Sequence, residues 1–440
     1  LPAPPPPRSR PFSSSPPLPR PLIAAAKAAR PPPVGLLGRA LLGPPAPPDR
    51  PGARHTLLAV CPNSKAVARA ALLAAQDART PLLYAATLNQ VDRDGGYTGW
   101  TPQALATFVQ EERERLGVTV PVLLGLDHGG PWAKDAHRTA GLNAEAARSA
   151  AHRSIAACVA AGYDLLHLDP AAGPPDADAP LPIDTLVDRT VSLLRHAETA
   201  RHRHHRAPLA YEVGSDDPRA GLDRPERLRR FLRRLHAALS SRDLPPPSFV
   251  VGDLGTRLDS GAFDTQRARA YVSAAADVDT LLKGHFTDAV DVPSAYPLSG
   301  VGGANVGPGL SAVEAEAVRD LASLEAQIGA ASGIDAALRN AVVDSGRWRK
   351  WLRPAEQGRA FDDLPEGRQR WLVETGSRYV WTRPEVEAAR ARLYEHVAPY
   401  RDAEAFVLWR IKTDILRYMH AFNLVGLADR LREALSEDVP

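Results

Sequence analysis

Eight short apolar runs, separated by segments of helical character, constrain the fold of this 440-residue chain more than any other feature. Each run has the length of a strand, and the spacing leaves room for a helix between neighbouring runs. Nearly continuous apolar strands that alternate with helices are typical of a parallel sheet, and eight such units predict a (β/α)8, or TIM, barrel. The runs are HTLLAVC (55–61), PLLYAAT (81–87), PVLLGLDH (121–128), YDLLHLDP (163–170), LAYEVGS (209–215), SFVVGDLG (248–255), DTLLKGHFT (279–287) and ANVGPGL (304–310).

A doubly wound sheet is the alternative arrangement of such strands and helices. It would require a Gly-rich phosphate-binding turn after the first strand. The chain has CPNS (61–64) at that place, so the barrel is the better prediction. Among the helix signals, Thr101–Pro102 predicts an N-terminus, Ser311-x-x-Glu314 predicts a capping box, and residues 312–338 predict one long helix.

Composition divides the chain into three parts. Residues 1–53 form a Pro/Arg-rich tail, in which residues 1–48 hold 17 of the 42 prolines, six basic residues and no acidic one. Such a segment cannot bury enough apolar surface to fold and is predicted to be disordered. It also resembles a transit peptide, but we favour a non-native extension. Residues 54–338 are the predicted barrel, and residues 339–440 a helical C-terminal extension packed on it.

Charge, hydropathy and cysteine content disfavour several functional classes. The net charge of +3 becomes −3 without the tail, and nucleic-acid binding is therefore not expected. No run of eighteen apolar residues is present, so a transmembrane helix and a membrane partner are not expected. Cys61 and Cys158, the only cysteines, lie in separate apolar segments, which indicates a reducing and thus cytoplasmic location. A P-loop and a G-x-S-x-G nucleophile turn are absent.

Polar residues collect at the carboxyl ends of the predicted strands, where TIM-barrel enzymes place their active sites. Imidazole and carboxylate groups around one barrel mouth suit Zn²⁺ or another divalent cation. A carboxylate beside a metal-held substrate can act as a general base, and Asp127 is the best placed by sequence. The strand-end residues are Asn89, Gln90, Asp127, His128, His167, Asp169, Glu212, Asp216, Asp253, His285, Asp288 and Asn305.

Several of these residues also have a plain structural interpretation. His167 alternates with two leucines, as a satisfied core histidine would, and Asp169 before a proline can form a turn. Glu212 in mid-strand can pair with an arginine. The segment GRWRKWLR (346–353) is similarly open: it can be an anion or partner site, or an aromatic anchor for the C-terminal helices, and we favour the anchor.

Five longer segments carry a resemblance to a known family: ATLNQVDRDGGYTGWTP (86–102), LGLDHGGPW (124–132), LLHLDP (165–170), YEVGSD (211–216) and KGHFTDAVDVPSAYPLSGVGGANVGP (283–308). They resemble the GatZ/KbaZ-type accessory subunits of class II D-tagatose-1,6-bisphosphate aldolase. Weaker similarity continues toward the C-terminus. The resemblance implies a TIM barrel that functions in ketose-phosphate metabolism and supports a separate catalytic subunit, which carries the zinc. Some relatives are instead metal-dependent ketose 4-epimerases.

By this resemblance, Asp127 and His128 match an acid and the metal-binding histidine that follows it in class II aldolases, and His285 fits a second ligand. Asp216 stands where many relatives carry glutamate, and VGDLGTRLD (251–259) replaces their V-Q-P-G-V-E-F pattern. The resulting site hypothesis has three roles. The residues are Asp127, Asp169 and Asp216 for catalysis; His128, His285 and Glu212 for a divalent metal, with zinc expected; and Asn89, Gln90, Thr287, Gly303 and Asn305 for the substrate.

The sequence leaves three functions open. The first is an aldolase subunit that, beside a class II catalytic subunit, supports cleavage of a ketose bisphosphate to dihydroxyacetone phosphate and glyceraldehyde 3-phosphate. The second is an independent, divalent-metal-dependent 4-epimerase of ketoses or ketose phosphates that works by retro-aldol or deprotonation chemistry. The third is a structural barrel without a metal.

Overall fold

A computed structural model describes residues 55–171, 173, 180–216, 220–259 and 262–437, so the predicted disorder of residues 1–53 lies outside it. Within this part, eight parallel strands pair in chain order and close into a barrel, because the last pairs with the first. The predicted TIM barrel is confirmed. The strands are β1 (Leu57–Val60), β2 (Leu82–Thr87), β3 (Val122–Gly129), β4 (Leu165–Leu168), β5 (Ala210–Gly214), β6 (Phe249–Val251), β7 (Leu281–Gly284) and β8 (Gly303–Val306).

Helices lie between the strands and continue beyond the last one. Ser64 and Thr101 accept hydrogen bonds from first-turn amides of the helices Lys65–Ala78 and Pro102–Arg115, and the second of these caps confirms the prediction from Thr101–Pro102. The helices are α1 (Lys65–Ala78), α2 (Pro102–Arg115), α3 (Asp135–Thr139), α4 (Ala144–Ala161), α5 (Ile183–Arg203), α6 (Pro225–Ser240), α7 (Thr265–Ala276), α8 (Ala295–Ser299), α9 (Pro308–Gln327), α10 (Ile334–Ser345), α11 (Glu366–Gly376), α12 (Pro384–Val397), α13 (Ala403–Ala421) and α14 (Leu427–Glu437).

The long helix predicted for residues 312–338 is two helices, α9 and α10. Between them the chain turns through Gly329 and Gly333, both at a φ of 76°, a left-handed conformation that ends a helix and that glycine adopts without strain. Helix α9 also begins earlier than predicted, at Pro308, because proline is preorganised for the first helical turn. Ser311 therefore lies inside the helix, and the predicted capping box is wrong.

The C-terminal helices share the core of the barrel. Helix α13 packs along α1, and α11 and α13 pack along α9. Trp348 is buried and meets Phe361 edge to face with ring centroids 5.1 Å apart, so it is the aromatic anchor predicted from GRWRKWLR. Apolar residues of barrel and extension form one continuous buried cluster. In the described part of the chain, no helix has the length and apolar character required to cross a membrane.

Candidate metal centre at the barrel mouth

Four side chains from three strands meet at the carboxyl end of the barrel. Asp127 and His128 lie at the end of β3, His167 lies in β4, and His285 directly follows β7. One ligand atom of each lies within 4.8 Å of the others. From Oδ1 of Asp127, the distances are 3.0 Å to Nδ1 of His167, 3.7 Å to Nε2 of His285 and 3.9 Å to Nε2 of His128. Three imidazoles and a carboxylate form a donor set that suits zinc and similar divalent ions.

The backbone at two of these positions is unusual. His128 has a φ of 50°, and it lies where the pairing of β3 with β4 shifts register between Leu126 and Gly129. Consecutive residues of a regular strand face opposite sides, but Asp127 and His128 both face the same cavity because of this irregularity. Phe286, next to His285, has a φ of 53°. Left-handed non-glycine residues store strain that is common at functional sites.

The hydrogen bonds of His167 show that a cation fits among these side chains. Its Nε2 lies 3.1 Å from the carbonyl oxygen of Gly214, which only accepts, so Nε2 carries the proton. Its Nδ1 accepts a hydrogen bond from the backbone N–H of His128 at 3.1 Å, yet it also lies 3.0 Å from Oδ1 of Asp127. Two acceptors at that distance repel each other unless a metal ion lies beside both or a proton on the imidazole lies between them. The donor set therefore fits a divalent metal.

The charge state of Asp127 supports the same conclusion. Burial alone would raise the pKa of this carboxyl, but His128 and His285 hold it well below its ordinary value. Asp127 is therefore an ionised acceptor at neutral pH. Its Oδ2 accepts a hydrogen bond from Nδ2 of Asn305 at 3.1 Å, which fixes the orientation of the carboxylate.

Two further carboxylates lie next to the Nδ1 atoms of His128 and His285, on the side of each imidazole away from Asp127. Oδ2 of Asp169 accepts a hydrogen bond from Nδ1 of His128 at 2.9 Å, and Oδ2 of Asp216 lies 3.4 Å from Nδ1 of His285. A hydrogen bond such as that from His128 to Asp169 fixes the tautomer and direction of a metal-binding histidine, whereas Asp216 approaches His285 without a hydrogen bond between these two atoms. Burial would lower the pKa of His285, but Asp127, Asp216 and Glu212 raise it to about 9. Metal binding at neutral pH must therefore displace a proton from this residue.

Glu212 is not brought into the group of four. Its Oε2 accepts a hydrogen bond from Nζ of Lys283 at 2.5 Å, and its Oε1 lies 3.2 Å from Nε2 of His285. Both Glu212 and Lys283 are buried. Burial would raise the pKa of Glu212, but chiefly Lys283 lowers it to about 2. The carboxylate predicted as a metal ligand thus pairs with a buried lysine through one oxygen, while its other oxygen lies 3.8 Å from Nδ1 of His167, so a ligand role for Glu212 stays a prediction. The lysine in the apolar run LLKGH was the signal for the pair.

Asp127, His128 and His285 open into a cavity of about 200 Å³, whereas His167 is buried behind them. Of the predicted substrate-binding residues, Asn89, Gln90 and Asn305 line it, and Oδ1 of Asn305 has no hydrogen-bond partner among the described residues. Thr287 and Gly303 are not brought to the cavity. The buried hydroxyl of Thr287 donates to the hydroxyl of Tyr296, and a Cβ on Gly303 would meet the Lys283 side chain within the barrel.

Asp288, after β7, adds a second carboxylate to the cavity wall. Its Oδ1 accepts hydrogen bonds from the amides of Gly307 and Gly309 at 2.7 and 2.8 Å, although burial still raises its pKa. A Cβ on Gly309 would lie 3.0 Å from that of Asp288, so this close approach favours glycine. Asp253, another strand-end acid, instead pairs with Arg257 and Arg267 outside the cavity.

The chain and its fold are similar to known proteins. The family described as "D-tagatose-1,6-bisphosphate aldolase subunit GatZ/KbaZ-like" matches residues 48–230, which confirms the resemblance seen in the sequence. The crystal structure of a probable tagatose 6 phosphate kinase from Sinorhizobium meliloti has the same fold, with a TM-score of 0.67 at 23% identity over 83% of this chain and 100% of that one. The YdjI aldolase from Escherichia coli matches with a TM-score of 0.45 at 13% identity, over 85% and 93% of the two chains.

Proposed function

Because the chain is related to the GatZ/KbaZ-like family of D-tagatose-1,6-bisphosphate aldolase subunits through residues 48–230, we propose that its barrel mouth binds a divalent metal and acts on a ketose or ketose phosphate. The grouping of Asp127, His128, His167 and His285 at the barrel mouth, where all but the buried His167 line one cavity, carries this proposal. A purely structural barrel would not require three imidazoles and a carboxylate to converge there. Zinc is the expected ion, since it binds histidine nitrogens; the imidazoles would hold it, and the carboxylate of Asp127 beside them would act as the base.

The proposed chemistry divides between the metal and the side chains. When bound, the ion supplies a Lewis acid that polarises oxygen atoms of the substrate. Asp127, held by Asn305, takes the proton of the C4 hydroxyl while the C3–C4 bond breaks and its electrons pass toward the C2 carbonyl. The products are an enediolate and an aldehyde. Recombination at the other face of the aldehyde, with return of the proton, gives the C4 epimer; protonation at C3 and release complete an aldol cleavage.

Asp127→Asn tests the proton transfer. The protein is loaded in turn with Zn²⁺, Mn²⁺, Co²⁺ and Ni²⁺ and assayed against a panel of ketoses and ketose phosphates, with products identified by NMR. We expect the variant to lose turnover by about 100-fold or more, because a positioned base contributes on that order. Asp253→Asn, which changes a strand-end acid outside the cavity, is the matched control and should keep turnover within about twofold, since it contacts no reacting group. Wild-type protein that neither binds a metal nor converts any member of the panel would contradict the proposal.

An accessory role is the second candidate, and the description of the matching family as an aldolase subunit favours it. A class II aldolase catalytic subunit should then be stabilised or activated when it is mixed with this chain. His128→Ala separates the two roles, because it removes a metal-binding side chain and leaves the outer surface of the barrel intact. Stabilisation of the partner that survives in this variant supports the accessory role, and a partner that never responds to the wild-type chain excludes it.

A further inference from the structure

The C-terminal extension contributes a wall to the cavity that holds the candidate metal centre. Lys350, Trp351, Arg378 and Tyr379 line this wall, although none of them lies at the end of a barrel strand. We call these four residues the cationic wall. Trp351 and Tyr379 are held together by a hydrogen bond from the indole Nε1 to the phenol oxygen at 3.3 Å. The cavity therefore has an acidic and histidine-rich part from the strands and a cationic part from the extension.

Arg378 is the central residue of the cationic wall. It is 3% exposed, donates hydrogen bonds to the carbonyl of Thr375 and to the hydroxyl of Tyr379, and stacks over the rings of Trp351 and Tyr379 at 5.2 and 4.4 Å. Within the described residues, no carboxylate lies within ion-pair distance of it. Arg378 acts on the pKa of Asp288 in the same cavity wall but forms no ion pair with it, so this carboxylate offsets only part of its charge. A buried guanidinium whose charge is only partly offset is costly, and stacking alone would not require it to line a cavity. An anionic ligand in the cavity would neutralise the charge of Arg378.

Two more cations add to the positive potential at this wall. Nζ of Lys350 lies 5.4 and 5.1 Å from the rings of Trp351 and Tyr379, and Arg347 stacks over Tyr379 at 4.8 Å. Burial would raise the pKa of the Tyr379 phenol, but chiefly Arg378, together with Lys350, lowers it below its ordinary value. Lys350 also pairs with Asp135 at 3.1 Å near the surface. That pair offsets only part of the positive charge.

We propose that the cationic wall binds an anionic group on the substrate, a phosphate ester or a carboxylate, while the metal centre holds its carbonyl and hydroxyl oxygens. This inference rests on the proposed function of the same cavity and deepens it by naming the substrate class as anionic ketoses. The planar guanidinium of Arg378 suits a phosphate or a carboxylate, because its N–H groups donate in parallel. Lys350 adds a second positive charge near the same rings.

Arg378→Gln tests the proposal by binding rather than by activity alone. Zinc-loaded wild type and variant are titrated calorimetrically with D-fructose, D-fructose 6-phosphate and D-fructuronate. We expect the wild type to bind one of the two anionic sugars at least about tenfold more tightly than fructose, and the variant to lose this preference. Arg349→Gln is the matched control, because Arg349 lies on the same segment but is exposed and stacks on Trp348. It should keep the preference.

The outcomes separate this inference from the proposed function. Equal binding of all three sugars by the wild type, or a preference that persists in Arg378→Gln, overturns the anion site. If that variant does not fold, the half-exposed Lys350→Gln replaces it and should reduce the preference by about threefold; an unchanged preference overturns the proposal. Anion preference without turnover of any sugar leaves the anion site standing and removes the proposed chemistry. Turnover without anion preference supports the proposed chemistry and overturns the anion site.

Discussion

His167 illustrates how the role of a single residue depends on other strands. In sequence it alternates with leucines, and in the structure it is fully buried, as a core histidine would be. Its Nδ1 nevertheless lies 3.0 Å from Asp127, because β3 pairs with β4 and the pairing shifts at the end of β3. Asp169 has both the structural and the functional role considered from the sequence. Its Oδ1 accepts a hydrogen bond from the amide of Ala171 in a turn, and its Oδ2 accepts one from Nδ1 of His128.

Asp169→Asn tests whether Asp169 orients the His128 imidazole for metal binding. An amide keeps the size of the carboxylate but removes the charge that orients and polarises the His128 imidazole. We expect zinc affinity to fall by about 10- to 100-fold, as is typical for the loss of such a partner. Competition with a fluorescent chelator measures this change. Asp253→Asn is again the control, and unaltered zinc affinity in Asp169→Asn would show that His128 does not bind the metal.

Among the helices, the buried carboxylate of Glu314 links α9 to α1 and α12 through hydrogen bonds. Glu314 of α9 is fully buried and accepts hydrogen bonds from Oγ of Ser64, the N-cap of α1, at 2.5 Å and from Nη1 of Arg390 in α12 at 2.7 Å. Burial would lower the pKa of Arg390, but Glu314 raises it above its ordinary value. The residue predicted as part of a helix cap therefore joins the barrel to the C-terminal extension.

Glu314→Ala should destabilise the protein strongly, because it leaves the Arg390 guanidinium without its partner. We expect a loss of about 3 kcal/mol, the lower end of the range for breaking a buried pair, since the Arg390 side chain is 21% exposed. Urea unfolding measures the difference. As a control, Arg233→Gln removes an exposed partner of Asp277 and should cost less than about 1 kcal/mol. A loss of similar size in both variants would contradict the argument.

At the scale of the whole molecule, the extension and the barrel share both a core and a cavity. The continuous buried cluster includes residues from the first strand to α14, and the cavity has walls from both parts. Neither part therefore buries its apolar surface alone. The organisation into residues 54–338 and 339–440 that the sequence suggests is expected to describe the architecture but not two independently stable units.

Thermal unfolding should therefore occur in one transition. Tryptophan fluorescence reports mainly on the extension, which holds five of the seven tryptophans, and far-UV circular dichroism reports on both parts. We expect the two signals to change together, with a Tm that rises on addition of zinc because the folded state binds it; at 100 times Kd the gain is about 2.7 kcal/mol. Separate transitions would show that the extension unfolds independently. EDTA should reverse the stabilisation by zinc.

The amino-acid sequence alone determined the barrel and the location of its site. Apolar runs of strand length at regular spacing have few ways to be buried, and parallel strands in a closed barrel bring their carboxyl ends to one mouth. Asp127, His128, His285, Asn89, Gln90 and Asn305 were therefore predictable. The tertiary structure decided which side chains meet: His167 joins the group, Glu212 pairs with Lys283, and Arg378 reaches the cavity from the extension. These placements depend on strand register and on packing between residues far apart in the chain, which no local pattern encodes.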